Sequence, residues 1–158
     1  MRLVSFEGGF GRVEGDQVVP MGPSLVDWLA FGTQGVATGA PRPLAEVRLL
    51  APVPRPGKIL CVGLNYRDHA KETGQAIPTE PVLFSKFANS VVGPGADGVV
   101  PPEAAEPVDY EAELAVVIGR RASRVAADDA LDHVAGYACA NDVSARSLQL
   151  RSSQWLLG

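Results

Sequence analysis

The chain has 158 residues, enough for one domain with a true core, or for one domain and a small appendage. Hydrophobic residues make up 46% and charged residues 20%, the balance of an ordinary globular protein. With 14 Lys plus Arg against 18 Asp plus Glu, the net charge of −4 gives no basic footprint for nucleic acid or anionic lipid, and no apolar run reaches the roughly 18–20 residues that span a bilayer.

Residues 1–22 alternate apolar and polar, with Gly8-Gly9, Gly11 and Gly15-Asp16 as turn signals. This pattern predicts short antiparallel strands. Apolar character breaks too early at the N-terminus for a signal peptide. Ser24 before Leu25-Val26-Asp27-Trp28-Leu29-Ala30 predicts a short capped helix. Residues 32–43 read as a loop. Pro52, Pro54 and Pro56-Gly57 then form a stiff connector, because proline fixes φ and removes a backbone donor.

The texture changes after the connector, dividing the chain into a small N-terminal extension, residues 1–50, and a larger region, residues 51–158. Residues 58–63 read as a short buried strand, residues 64–72 as a turn into one or two helical turns, and residues 82–87 as another strand. A Gly/Pro loop occupies residues 93–102. Residues 114–118 are the clearest strand, being β-branched and apolar throughout. Residues 128–134 read as a helix with acids in its first turn and Gly136 as its stop. A strand follows at 137–140, and residues 144–157 read as interrupted helix. Short strands mixed with short helices predict an α+β, mostly β fold rather than a parallel α/β repeat. Cys61 and Cys139 lie in apolar surroundings without metal spacing, and read as buried thiols in a reducing cytoplasm.

The chemistry concentrates at strand ends. Glu111 and Glu113 stand at i and i+2 at the mouth of the strongest strand, so they share a face. Two like charges there repel and resist desolvation, and a divalent cation removes both problems. A solvated strand end would carry the same pattern. Asp142 ends another apolar strand. Three carboxylates converging on one point make an all-oxygen site suited to Mg²⁺, Mn²⁺ or Ca²⁺, whereas no Cys or His stands at zinc spacing.

His69 and Glu72 are three residues apart, on one face of a helical turn. A carboxylate beside an imidazole orients it and raises its basicity, as a general base requires, although a surface ion pair has the same spacing. Asn65, Tyr66 and Lys86 are polar groups beside buried strands, able either to orient an anionic substrate or to serve the structure. Gln149 follows Asp142 by seven residues on a predicted helix and is a weaker candidate of the same kind. His133 lies on a polar helix face after three acids and is given no role.

These residues carry a resemblance. Gly63-Leu64-Asn65-Tyr66-Arg67-Asp68-His69-Ala70-Lys71-Glu72 resembles the G-x-N-Y-x-x-H-x-x-E stretch of the fumarylacetoacetate hydrolase (FAH) family. The segments 108–119 and 136–149 resemble two further family motifs, the latter through Asn141-Asp142-Val143-Ser144-Ala145-Arg146. The N-terminal extension resembles that of bacterial members more loosely.

The resemblance implies a mixed β roll, a homodimer when full length, and one divalent cation per subunit. Glu111, Glu113 and Asp142 would be its ligands, His69 with Glu72 the proton-moving dyad, and Gln149 a substrate contact. Family members act on 2-oxo acids: acylpyruvate hydrolysis, oxaloacetate decarboxylation, and hydration or isomerisation of 2-oxo-enoates. The expected function is therefore metal-dependent C–C hydrolysis of an acylpyruvate-type 2,4-dioxo acid. The expected mechanism is chelation of the 2-oxo acid by the cation, with water activated by His69.

Two departures qualify this. Ser147 follows Arg146 where the family usually has Asp, which weakens the setting expected for Arg146. The family also continues beyond the position of Gly158 with a substrate-contacting lysine and further strands. The first part of an enzyme is thus expected, inactive by itself and prone to associate. A reading of another class is an inactive fragment that serves only as an interaction module.

Overall fold

A computed structural model describes residues 1–32, 37–102, 104 and 108–158. In chain order the first elements are β1 (Leu3–Phe6), β2 (Gly9–Glu14), β3 (Gln17–Gly22), α1 (Leu25–Phe31), β4 (Arg42–Pro43) and β5 (Leu49–Leu50). They are followed by β6 (Ile59–Gly63), α2 (Arg67–Glu72), β7 (Val82–Lys86), β8 (Val108–Asp109) and β9 (Ala112–Ile118). Last come β10 (Val134–Asn141), β11 (Ser144–Ala145) and α3 (Arg146–Gln149). The fold is α+β and mostly β, as expected.

The described chain forms two compact units. One contains Met1–Pro54, Val92–Gly98 and Tyr110–Asp142; the other contains Arg55–Val91, Val99–Asp109 and Val143–Gly158.

Within the first unit, the N-terminal strands form one antiparallel sheet in the order β4-β3-β2-β1-β5. Pairing of Phe6 with Gly9 and of Glu14 with Gln17 leaves two-residue turns. Gly8 and Gly15 take φ of +92° and +60° there, a conformation glycine adopts without steric cost. Alternation then sends side chains to two clusters. Phe6, Val18 and Val47 form one; Phe10, Met21 and Leu25 form the other, with Trp28 packed beside Phe10 at a ring separation of 5.9 Å. Helix α1 supplies Leu25 and Trp28. It starts because the Ser24 hydroxyl accepts from the Asp27 N–H at 3.2 Å. The nearly buried Ser5 hydroxyl donates to the Pro52 carbonyl at 2.7 Å, tying the sheet to the proline connector.

β9 and β10 pair antiparallel in the same unit, from Val134 opposite Ile118 to Asn141 opposite Ala112. The residues expected as a helix before β10 form a 3₁₀ segment, Ala127–His133. It ends at His133, so Gly136 lies inside β10 and is not the helix stop. The strand expected to be buried is buried on one face only. Glu113, Ala115 and Val117 are half-buried, whereas Leu114, Val116 and Ile118 are exposed. A continuous apolar run fixes a strand but does not place a layer on each side of it. Cys139, opposite Leu114, is exposed too, whereas Cys61 has partial cover; neither cysteine is in a disulfide.

In the second unit β6 pairs with β7, and β8 with β11. The expected strand at residues 58–63 is likewise one-sided, with Leu60 and Val62 exposed. Trp155 lies over Gly63 and meets Phe84 edge-on at 5.5 Å. Ser144 and Ala145, expected as helix, pair with Asp109 and Val108 as β11 before α3 begins.

Candidate metal and substrate site

In the first unit, the ladder of β9 and β10 sets the acids at one end. The Asp142 N–H donates to the Glu111 carbonyl at 3.0 Å, and the Glu111 N–H donates to Asn141 Oδ1 at 3.0 Å. These bonds extend the register by one residue, so Asp142 stands opposite Glu111, and Ala140 opposite Glu113. Glu111, Glu113 and Asp142 are all half-buried. The backbone and the donor chemistry therefore fit a hard divalent cation. The side chains themselves are spread: among the described residues, no group of three or more His, Cys, Asp or Glu is gathered tightly enough to hold a metal ion.

In the second unit, β6 leads through Leu64, at φ +51°, into α2. A left-handed conformation at a non-glycine residue is uncommon outside turns and functional loops. The buried Ala70 pins the helix, leaving His69 half-buried and Glu72 exposed. One face of α2 carries both, as the spacing predicted, but among the described residues their side chains are not bonded to each other.

Asn65 and Arg67 line a cleft of about 300 Å³, with Thr79 to Pro81 opposite. Tyr66, between them, is exposed and is not part of that lining. Lys86 ends β7 and its Nζ donates to the Gly158 carbonyl at 3.1 Å. Gln149 is buried on α3, where its Oε1 accepts from Arg146 Nη1 at 2.9 Å. Arg146 Nε in turn meets Asp109 Oδ2 at 2.8 Å.

Asn65 and Tyr66 thus fall in the loop between β6 and α2, and the other predicted residues at a strand end, on α2 or on α3. The structure brings Glu111 and Asp142 together directly, with Glu113 next along the face. Sequence reasoning gave no role to Arg67 or Asp109. Arg67 had a signal, since it lies within the quoted motif. Asp109 too lies within a motif segment, 108–119, but its partner lies 37 residues along the chain and nothing local points to it. A larger cleft of about 370 Å³ near Phe6, Leu25 and Leu50 carries no ionisable side chain, so volume alone does not locate chemistry here.

Comparison with known proteins agrees with the motifs. Residues 58–158 match the family described as fumarylacetoacetate (FAA) hydrolase C-terminal, and residues 1–52 match the family described as Rv2993c-like, N-terminal. The bovine (Bos taurus) protein named oxaloacetate tautomerase FAHD2A, mitochondrial, is 52% identical over 183 aligned positions, covering 100% of this chain and 58% of that protein. The 2-hydroxyhepta-2,4-diene-1,7-dioate isomerase from Mycobacterium marinum superposes with a TM-score of 0.77 at 36% identity, over 98% of this chain and 57% of that one. The maleylpyruvate hydrolase from Sphingobium sp. SYK-6, solved with manganese(II) and pyruvate, superposes with a TM-score of 0.77 at 29% identity, over 99% of this chain and 63% of that one. The chain therefore spans about three-fifths of the length of these relatives. With its three motifs, its fold and a match across residues 58–158, the chain belongs to the fumarylacetoacetate hydrolase family.

Proposed function

We propose that this chain carries divalent-cation-dependent chemistry on a 2-oxo acid, making or consuming its enol form. The observation behind this reading is the end of the β9–β10 ladder, where the Asp142–Glu111 backbone bond and the register of Glu113 bring three carboxylate-bearing residues to one end of the pairing. Glu111, Glu113 and Asp142 would hold Mg²⁺ or Mn²⁺, with Ca²⁺ as the larger alternative. The bound cation would supply stabilisation of negative charge developing on substrate oxygen.

The chain's own residues supply the rest. His69 accepts or returns a proton at an imidazole nitrogen, and Glu72, one turn along α2, raises its basicity when the two side chains approach. Lys86 Nζ, the Gln149 amide, Asn65 and Tyr66 offer donors to the carboxylate and keto oxygens of an anionic substrate.

Oxaloacetate is the first substrate to test, because the 52% identical bovine relative is named for its tautomerisation. That reaction needs only proton removal at one atom of the C–C–O unit and return at another. Hydrolysis of an acylpyruvate is the second reading, favoured by the likeness to maleylpyruvate hydrolase. There, water activated by His69 adds to the distal carbonyl. The C–C bond then breaks, giving a carboxylic acid and the enolate of pyruvate, which takes up a proton. Oxaloacetate decarboxylation would pass through the same enolate.

The test joins this chain to the C-terminal portion of a family relative. Decay of enol-oxaloacetate absorbance and release of pyruvate from an acylpyruvate are followed with Mg²⁺, with Mn²⁺ and after chelation. Cation-dependent turnover of either substrate is the expected result. Turnover indifferent to chelation, or turnover of neither substrate, would overturn the reading.

A further inference from the structure

Arg146 and Gln149 stand one helical turn apart at the two ends of α3, and the pair is anchored from outside the helix. β8 pairs with β11 so that Asp109 lies opposite Ser144, a residue only 1% exposed. This places Asp109 two residues from the start of α3 in register. Its Oδ2 accepts from Arg146 Nε at 2.8 Å, and Arg146 Nη1 donates onward to Gln149 Oε1 at 2.9 Å.

The chemistry of this chain of contacts has one direction. A guanidinium has donors and no acceptor, held in a rigid plane. A carboxamide facing it must present oxygen, so the Gln149 amide is turned with Nε2 away from Arg146. Gln149 is 9% exposed, which leaves its side chain few alternative rotamers. Among the described residues its Nε2 has no acceptor. An outward-turned Nε2 is a donor that a ligand oxygen can meet.

Ser147 adds to the argument. It stands where the family resemblance expects an aspartate, and among the described residues its buried Oγ has no hydrogen-bond partner. It does not reach Arg146; Asp109 supplies the carboxylate from 37 residues earlier.

We propose that Asp109 is a positioning residue: through Arg146 it fixes the Gln149 carboxamide with Nε2 outward, as a donor for an anionic oxygen of the 2-oxo acid. This rests on the substrate contact proposed above for Gln149. Asp109 does not touch the substrate; its effect passes through the guanidinium.

The experiment uses the 158-residue chain labelled with ¹⁵N. The Gln149 side-chain amide resonances are assigned by their loss in Gln149→Ala, and their order parameter is measured. A high order parameter is expected in the wild type, a clear fall in Asp109→Asn and in Arg146→Lys, and retention in Asp109→Glu. Arg146→Lys keeps the charge but not the fork, so it decides the matter if Asp109→Asn proves unstable. An amide equally ordered in all variants would overturn the proposal.

Oxalate, an anion shaped like the enolate of a 2-oxo acid, is then titrated in the presence of Mn²⁺. Its affinity should fall roughly tenfold in Asp109→Asn, the scale of one misdirected hydrogen bond. A loosened amide with unchanged oxalate affinity would leave Asp109 a purely structural residue and overturn its role in binding. If the wild type binds no oxalate, the 2-oxo acid reading fails instead, and the amide order alone decides whether Asp109 holds Gln149.

Discussion

The N-terminal sheet and the two later ladders treat their apolar residues in opposite ways. In the sheet, two-residue turns and strict alternation drive Phe6, Phe10, Val18 and Met21 to 6% exposure or less. In the β6–β7 and β9–β10 ladders the same residue types alternate just as regularly, yet Leu60, Leu83, Leu114 and Ile118 are each about 60% exposed or more. All candidate chemistry lies outside the sheet: the acids at the ladder end, His69 and Glu72 on α2, Gln149 on α3. The sheet holds most of the deeply buried apolar residues and none of the candidate site residues. The ladders frame the residues of the proposed site. Damage to either region should leave the other's property intact.

The largest effect belongs to the region of the proposed site. In the chain joined to a relative's C-terminal portion, His69→Ala should lower kcat by roughly 10²–10⁴, the range for a lost general base. The half-buried imidazole has no core to leave, so the thermal midpoint and the metal response should hold. If the variant instead loses metal while its metal-saturated turnover survives, His69 is a ligand and its assignment as base is wrong.

Phe10→Ala probes the other side. It empties a site 1% exposed against Met21, Leu25 and Trp28, and should cost about 3–5 kcal/mol by denaturant unfolding. Because no candidate ligand touches that cluster, the residual folded protein should keep the same cation-induced shift. A shift lost together with stability would show the two regions to be one cooperative whole.

The two regions also differ in how far the sequence revealed them. The sheet was legible because its determinants are local: Gly8 and Gly15 make the turns, Ser24 caps α1, and period two sorts the faces. The shared face of Glu111 and Glu113 was legible for the same reason. The exposure of Cys139 was not, since an apolar run records what a strand prefers to bury and not what lies against it. Asp109 escaped because its partner comes from a distant turn of chain. Gly136 misled, being read as a helix stop when the segment before it closes as 3₁₀ turns at His133 and the strand begins at once.

Glu113→Gln asks whether the ladder end holds a cation. Mg²⁺ or Mn²⁺ should raise the wild-type thermal midpoint, by about 2.7 kcal/mol in stability terms when free cation is about 100-fold above Kd. In Glu113→Gln that shift should vanish, while cation-free stability stays the same or rises as like-charge repulsion is relieved. A shift that survives in Glu111→Gln, Glu113→Gln and Asp142→Asn alike would remove the metal assignment.

The smallest effect in stability, though not in behaviour, belongs to the outer face of β9 and β10. Leu114 lies opposite Cys139 and Val116 opposite Tyr137, all on the face without cover. Apolar faces and unpaired strand edges are what other chains adhere to. The 158-residue chain should therefore self-associate, with light scattering that grows with concentration. Leu114→Lys puts a charge at the middle of that face. Leu114 is 60% exposed, so stability should move by no more than about 0.5 kcal/mol, while association falls sharply. The matching change inside the sheet, Val18→Lys, would bury an unpaired charge and unfold it. If the wild-type chain stays monodisperse at every concentration, the exposed face is not adhesive, and the contrast with the sheet is one of burial alone.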